Sequence, residues 1–165
     1  MRLVIQTWTD NDILRKVSAP VKPAELHTYR VLWESMLDYI DNPKNKGIGL
    51  AAPQVGVNKR IAVVGLPIKQ DDEDYPLVLM INPVITNRSK ETEIGEEGCL
   101  SLPDLRWEVE RSLWIDVEWI DIRGRKIKKH ITGFGAKVVQ HEIDHLDGIL
   151  ISDKFVQKKA SKVVK

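Results

Sequence analysis

A chain of 165 residues, 42% apolar and 30% charged, is long enough to bury a core of its own and is expected to form one domain over residues 1–165. A net charge of +1 gives the domain as a whole no electrostatic grip on nucleic acid, and a single cysteine, Cys99, excludes an internal disulfide and suits a reducing compartment. No apolar run reaches the length of a membrane span and residues 1–8 are too short and mixed for a signal peptide, so the expectation is a cytoplasmic protein with no membrane partner.

Along the chain, Leu26, Tyr29, Leu32, Trp33, Met36, Leu37 and Ile40 recur at three- and four-residue intervals and predict an amphipathic helix over 24–42. Pro23 punctuates its entry and Asn42-Pro43 its exit. Next comes Gly47-Ile48-Gly49-Leu50-Ala51-Ala52-Pro53-Gln54, which lacks the Lys-Ser/Thr of a phosphate loop and the spacing of a dinucleotide fingerprint. Its small residues suit a tight backbone passage where an extended ligand pairs with main-chain groups. Gln54 is either a structural amide or, in a cleft, a donor to a developing oxyanion.

Residues 60–64 and 77–81 are apolar, strand-like runs, and the acidic stretch 70–74 between them reads as a solvated loop. Residues 113–122 alternate with strand period, and Arg123-Gly124 turns them into 126–131 as a hairpin. Gly133 and Gly135 precede a last helix, which Gly148 can end by a left-handed cap. Strands around one central helix give an α+β fold rather than a doubly wound sheet.

That last helix carries the chemistry. His141-Glu142-Ile143-Asp144-His145 is an H-E-x-x-H motif, in which residues four apart project from one helix face and can grip one metal ion. Glu142 sits about 100° round the helix, where it can touch a metal-bound water without ligating. The motif alone arises by chance in some chains, and a lone cysteine is most often a small buried hydrophobe. Downstream completion of the ligand set fails: Ile151 stands where a third histidine would fall, and no glutamate follows Glu142. Upstream, Cys99 stands out among His27, His130 and the carboxylates. The glycines of Gly95-Glu96-Glu97-Gly98-Cys99 permit the close approach that a ligand loop needs. One cysteine and two histidines with an open fourth position is a recognised catalytic plan.

The 47–54 segment, Glu97-Gly98-Cys99-Leu100-Ser101 and Gln140-His141-Glu142-Ile143-Asp144-His145 resemble, in that order, the three signature motifs of peptide deformylase. The resemblance runs from Asp12 to Phe155 and includes Leu14-Arg15-Lys16-Val17 and Pro20-Val21. It implies mixed, mostly antiparallel sheets wrapped about the helix bearing the two histidines. It further implies a hydrolase that removes the formyl group from the formyl-methionine of nascent polypeptides and releases formate. Cys99, His141 and His145 would hold Fe²⁺, for which Zn²⁺, Ni²⁺ or Co²⁺ can substitute. Glu142 would be the general base, with the Gln54 amide and the Leu100 backbone N–H facing the oxyanion.

By the same resemblance the substrate would lie along Ile48-Gly49-Leu50, with its methionine near Ile48, Phe134 and Val138. The stem of Lys137 would cover the pocket rim. Asp144 is expected either to orient neighbouring groups or to form a structural ion pair. Leu102-Pro103-Asp104 and Trp107 depart from the usual pattern beside the cysteine loop and bear on the cleft rim. The lysines of the tail 154–165 read first as a solvated end and, alternatively, as a transient ribosome contact. A monomer is expected. Two rivals are a zinc peptidase of another class and a catalytically silent peptide- or ribosome-binding relative, which would be expected to have lost Glu142 or a ligand.

Overall fold

The computed structural model describes residues 2–45, 47–67 and 75–156. The acidic stretch 70–74 and the tail beyond residue 156 lie outside the described residues. Strands β1 (Gly49–Ala51), β2 (Ile61–Gly65), β3 (Leu77–Arg88), β6 (Trp114–Ile120) and β7 (Lys126–Thr132) form one sheet in the order β1-β2-β3-β6-β7. Strands β4 (Thr92–Cys99) and β5 (Leu102–Ser112) form a separate hairpin. All these pairings are antiparallel, and a single Ala19–Lys59 bridge is parallel.

Strand period places one helix on each face of the sheet. Ile61 and Val63 of β2 pack with Leu50 and Ile81 against Leu32, Trp33, Met36 and Ile40 of α2 (Arg30–Asp41). Val64, one position out of step, joins Met80, Ile115, Val117 and Ile131 against Ala136, Val139 and Ile143 of α3 (Gly133–Leu146). A third cluster of Leu14, Leu102, Val109, Leu150 and Ile151 holds the β4–β5 hairpin against the segment that follows α3. The histidine-bearing helix is therefore central, as an α+β fold requires. None of the described helices is long and apolar enough to cross a membrane.

Four local expectations are revised. The 24–42 helix is a 3-10 stretch, Pro23–Tyr29, followed by α2. There Glu25 accepts the Lys22 N–H at 3.0 Å, and His27, Thr28 and Tyr29 are weak α-helix formers at a terminus where 3-10 turns are common. Strand β3 continues past residue 81 because Asn82, at φ +52°, forms a bulge pinned by two 2.8 Å hydrogen bonds to the Val21 main chain. Gly133 and Gly135 lie within α3 rather than before it. The β4–β5 hairpin is the fourth change: β4, with three glutamates and two glycines, carries little of the apolar alternation by which strands are read, whereas Leu105, Trp107 and Val109 of β5 do alternate with charged residues. Gly148 does end α3: it stands at φ +74°, and a Cβ there would lie 2.4 Å from the Arg15 carbonyl oxygen.

The basic tail is also less free at its start than expected. Lys154 pairs with Asp144 at 2.8 Å, and the Val156 N–H donates to the Glu108 carbonyl at 2.8 Å.

Candidate metal centre

The turn after β4 brings Cys99 over α3, beside the two histidines one helical turn apart. Cys99 Sγ lies 3.1 Å from His145 Nε2, and the donor atoms of Cys99, His141 and His145 all fall within 4.8 Å of one another. A divalent ion roughly 2.0–2.3 Å from each donor needs donors spaced in this way. A thiol with two imidazoles suits a transition ion rather than Mg²⁺ or Ca²⁺, whose preferred ligands are oxygens. His130 lies elsewhere, on β7, with its Nδ1 2.7 Å from Asp116.

The next layer of residues fixes the donors. Glu97, two residues before Cys99 on the same face of β4, accepts from His141 Nδ1 at 2.9 Å and so leaves Nε2 for an ion. Arg111, across the hairpin, holds both Glu97 oxygens, through Nε at 2.8 Å and Nη2 at 2.9 Å, and also pairs with Asp144. Lys154 reaches the other Asp144 oxygen at 2.8 Å. Asp144 is thus an ion-pair partner that reaches the donors only through Arg111 and Glu97, which favours the structural ion pair of its two expected roles. Glu97 belongs to the Glu97-Gly98-Cys99-Leu100-Ser101 motif but has no role assigned from sequence, and Arg111 carries no signal at all. Only the alternation Glu97-Gly98-Cys99, which puts a carboxylate and a thiol on one strand face, hinted at the first.

Gln54 is buried, 1% exposed, and its orientation is set by its partners. Its Oε1 accepts the Ala51 N–H at 2.9 Å, so Nε2 faces Ser101 Oγ at 3.1 Å and Cys99 Sγ at 3.6 Å. Glu142, 4% exposed, has an Oε2 with no hydrogen-bond partner among the described residues. Its other oxygen would lie 2.3 Å from a Cβ on Gly49, so β1 passes the carboxylate at a distance only glycine allows.

Charge in the site favours a cation. Burial works against a charged His141, but hydrogen bonds to Cys99 and Glu97 and the nearby Glu142 charge outweigh it and raise the imidazole to about 10. Burial, with the His141 charge, drives His145 well below 6.5, toward the neutral form that ligates. Burial pushes the Glu97 carboxyl up, yet Arg111 and His141 bring it down to about 2. Burial raises Glu142 to about 7, against the pull of His141.

A cleft of about 740 Å³ opens onto this cluster. Ile48, Gly49, Leu100, Phe134 and Val138 all line it, with Gln54, Cys99, His141 and Glu142. Leu50 does not: its side chain is fully buried in the α2-side core, leaving only its main chain to face a ligand. Strand β1 is the sheet's edge, paired with β2 alone among the described strands. Tyr75 stands edge-on to Phe134 at the cleft, ring centroids 5.6 Å apart.

Comparison with known proteins agrees with this geometry. The polypeptide deformylase family model matches residues 3–161. A peptide deformylase of Rhizobium meliloti is 40% identical over 153 residues, covering 93% of this chain and 85% of the relative. The crystal structure of peptide deformylase from Thermotoga maritima matches with a TM-score of 0.84 at 36% identity, over 95% of this chain and 99% of that one. A Met-Ala-Ser-bound class I type b peptide deformylase from Acinetobacter baumannii matches with a TM-score of 0.83 at 35% identity, over 94% and 99%. On sequence and on structure, the chain belongs to the polypeptide deformylase family.

Proposed function

We propose that this protein hydrolyses the formyl group from the N-terminal formyl-methionine of newly made polypeptides, giving formate and a free amine. The observation that carries the reading is the buried Glu142 carboxylate, with an oxygen lacking a partner, beside the Cys99–His141–His145 donors and against edge strand β1. The three donors fit one divalent transition ion, and Fe²⁺ is our reading of the physiological ion, with Zn²⁺, Ni²⁺ or Co²⁺ as substitutes. Once bound, such an ion supplies a water of lowered pKa and a counter-charge for the formyl oxygen.

Glu142 then takes a proton from the attacking water and returns it to the departing nitrogen as the carbon–nitrogen bond breaks. Burial, which disfavours its charged form, suits this carboxyl to hold the proton between the two transfers. Gln54 Nε2 and the Leu100 backbone N–H donate to the oxygen that gains charge as water adds. Ile48 and Gly49, with the Leu50 main chain, hold the peptide as a strand added to β1. Phe134, Val138 and Ile48 take the methionine side chain. We place the protein in the cytoplasm as a single-domain monomer, with the tail 154–165 as a candidate ribosome contact.

Formate release from formyl-Met-Ala-Ser, measured with the metal content of the same sample, tests this. One formate and one Met-Ala-Ser per substrate are expected. Cleavage at an internal peptide bond, or no formate from protein carrying one ion per chain, would overturn it.

A further inference from the structure

Along α3 from the donor cluster, the cleft wall carries a charge that the chemistry above leaves unused. Lys137 lies four residues before His141, about 6 Å along the helix on the same face. It lines the cleft beside Phe134 and Val138. Its ammonium pairs at 2.8 Å with Glu93 of β4; the lysine side chain is 23% exposed and the glutamate 57%. Glu93, Gly95 and Glu97 are alternate residues of β4, so the strand holds α3 twice, Glu93 on Lys137 and Glu97 on His141. Between these contacts Gly95 leaves space, because a Cβ there would lie 3.4 Å from Lys137 Nζ. A side chain longer than that of alanine at this position would compete with the ammonium.

Lys137 and His141 stand about one helical turn apart on the wall of the same cleft, a spacing comparable to the length of a methionine side chain. The lysine stem there presents methylenes, while the head keeps N–H donors beyond the one given to Glu93. Resting on the deformylase reading of the site, we propose that Lys137, held by Glu93, is a specificity-determining residue. It allows the pocket to take a first side chain that ends in a hydrogen-bond acceptor, methionine sulfoxide, alongside methionine. A purely hydrocarbon wall would strip the sulfoxide oxygen of water and return nothing, a cost that falls on the sulfoxide and not on methionine.

The test compares kcat/KM for formate release from formyl-Met-Ala-Ser and formyl-Met(O)-Ala-Ser, using metal-loaded wild type, Lys137→Met and Lys137→Arg. Calorimetric affinities for Met-Ala-Ser and Met(O)-Ala-Ser give a readout independent of turnover. Wild type is expected to favour methionine by less than about tenfold, and Lys137→Met to widen that preference by a further tenfold or so in both readouts. Lys137→Arg, which keeps the cation, is expected to restore the wild-type ratio. A wild type that releases formate only from the methionine peptide overturns the proposal and leaves the deformylase reading standing, as does an unchanged ratio in Lys137→Met. Release from neither peptide overturns both.

Discussion

Replacing Arg111 by alanine should be among the most damaging single changes outside the donors themselves. The Arg111 side chain is 2% exposed, and its guanidinium joins the carboxylates of Glu97 and Asp144, whose side chains are only 11% and 14% exposed. Its removal leaves both facing a void with only their lesser partners, His141 for Glu97 and Lys154 for Asp144, which places the cost toward the low end of the range of about 3–5 kcal/mol for a broken buried pair. The Glu97 carboxyl gives a second route to the magnitude. Its descent from 4.5 to about 2 corresponds to about 3 kcal/mol net of the burial penalty, shared between Arg111 and His141. With a urea slope of about 2 kcal/mol/M, the unfolding midpoint should fall by about 2 M with the slope unchanged.

The sign with pH is fixed as well. A carboxyl lowered on folding stabilises above its unfolded value, here 4.5, and that stability is lost as pH falls toward about 2. The deficit of Arg111→Ala relative to wild type should therefore be full at neutral pH and shrink across that acid window. Because Glu97 orients His141, metal affinity should also drop about 10–100-fold. Urea titrations at several pH values with metal analysis measure all three effects. A loss below about 1 kcal/mol at pH 7, or a deficit that grows with acid, would refute the reasoning.

Glu142→Gln should keep one ion per chain and lose turnover on the order of 10²–10⁴-fold, and a variant retaining a tenth of the activity would remove Glu142 from proton transfer. Gly49→Ala sets a methyl where 2.3 Å separates it from the Glu142 oxygen, so kcat should fall on the order of 10²-fold with metal content intact. Full activity there would show that β1 does not position the carboxylate. Gln54→Leu should lower kcat by about 10²–10³, and an effect confined to KM would assign the amide to ground-state binding instead.

The sequence by itself determined what depends on local repetition and on residue chemistry. Heptad-like spacing in 26–40 announced the α2 stripe, alternation in 113–122 announced β6, and the four-residue step from His141 to His145 put two imidazoles on one face. Elimination of a downstream ligand then pointed to Cys99, and that residue does lie 3.1 Å from His145. Tertiary structure decided everything that hangs on the β4–β5 hairpin. Strand β4 is rich in glutamate and glycine and shows no period, and although Leu105, Trp107 and Val109 of β5 alternate with Arg106, Glu108 and Glu110, nothing local says which strand they pair with or what the hairpin covers.

Only once that hairpin lies over α3 does Glu97 meet His141, Arg111 bridge Glu97 to Asp144, and Lys137 find Glu93 beside the space at Gly95. Each of these is a long-range electrostatic or hydrogen-bonding contact between residues whose types are ordinary on a protein surface. A one-dimensional pattern cannot distinguish such a charge from a solvated one, because burial, which gives the pairing its strength, is a property of the fold.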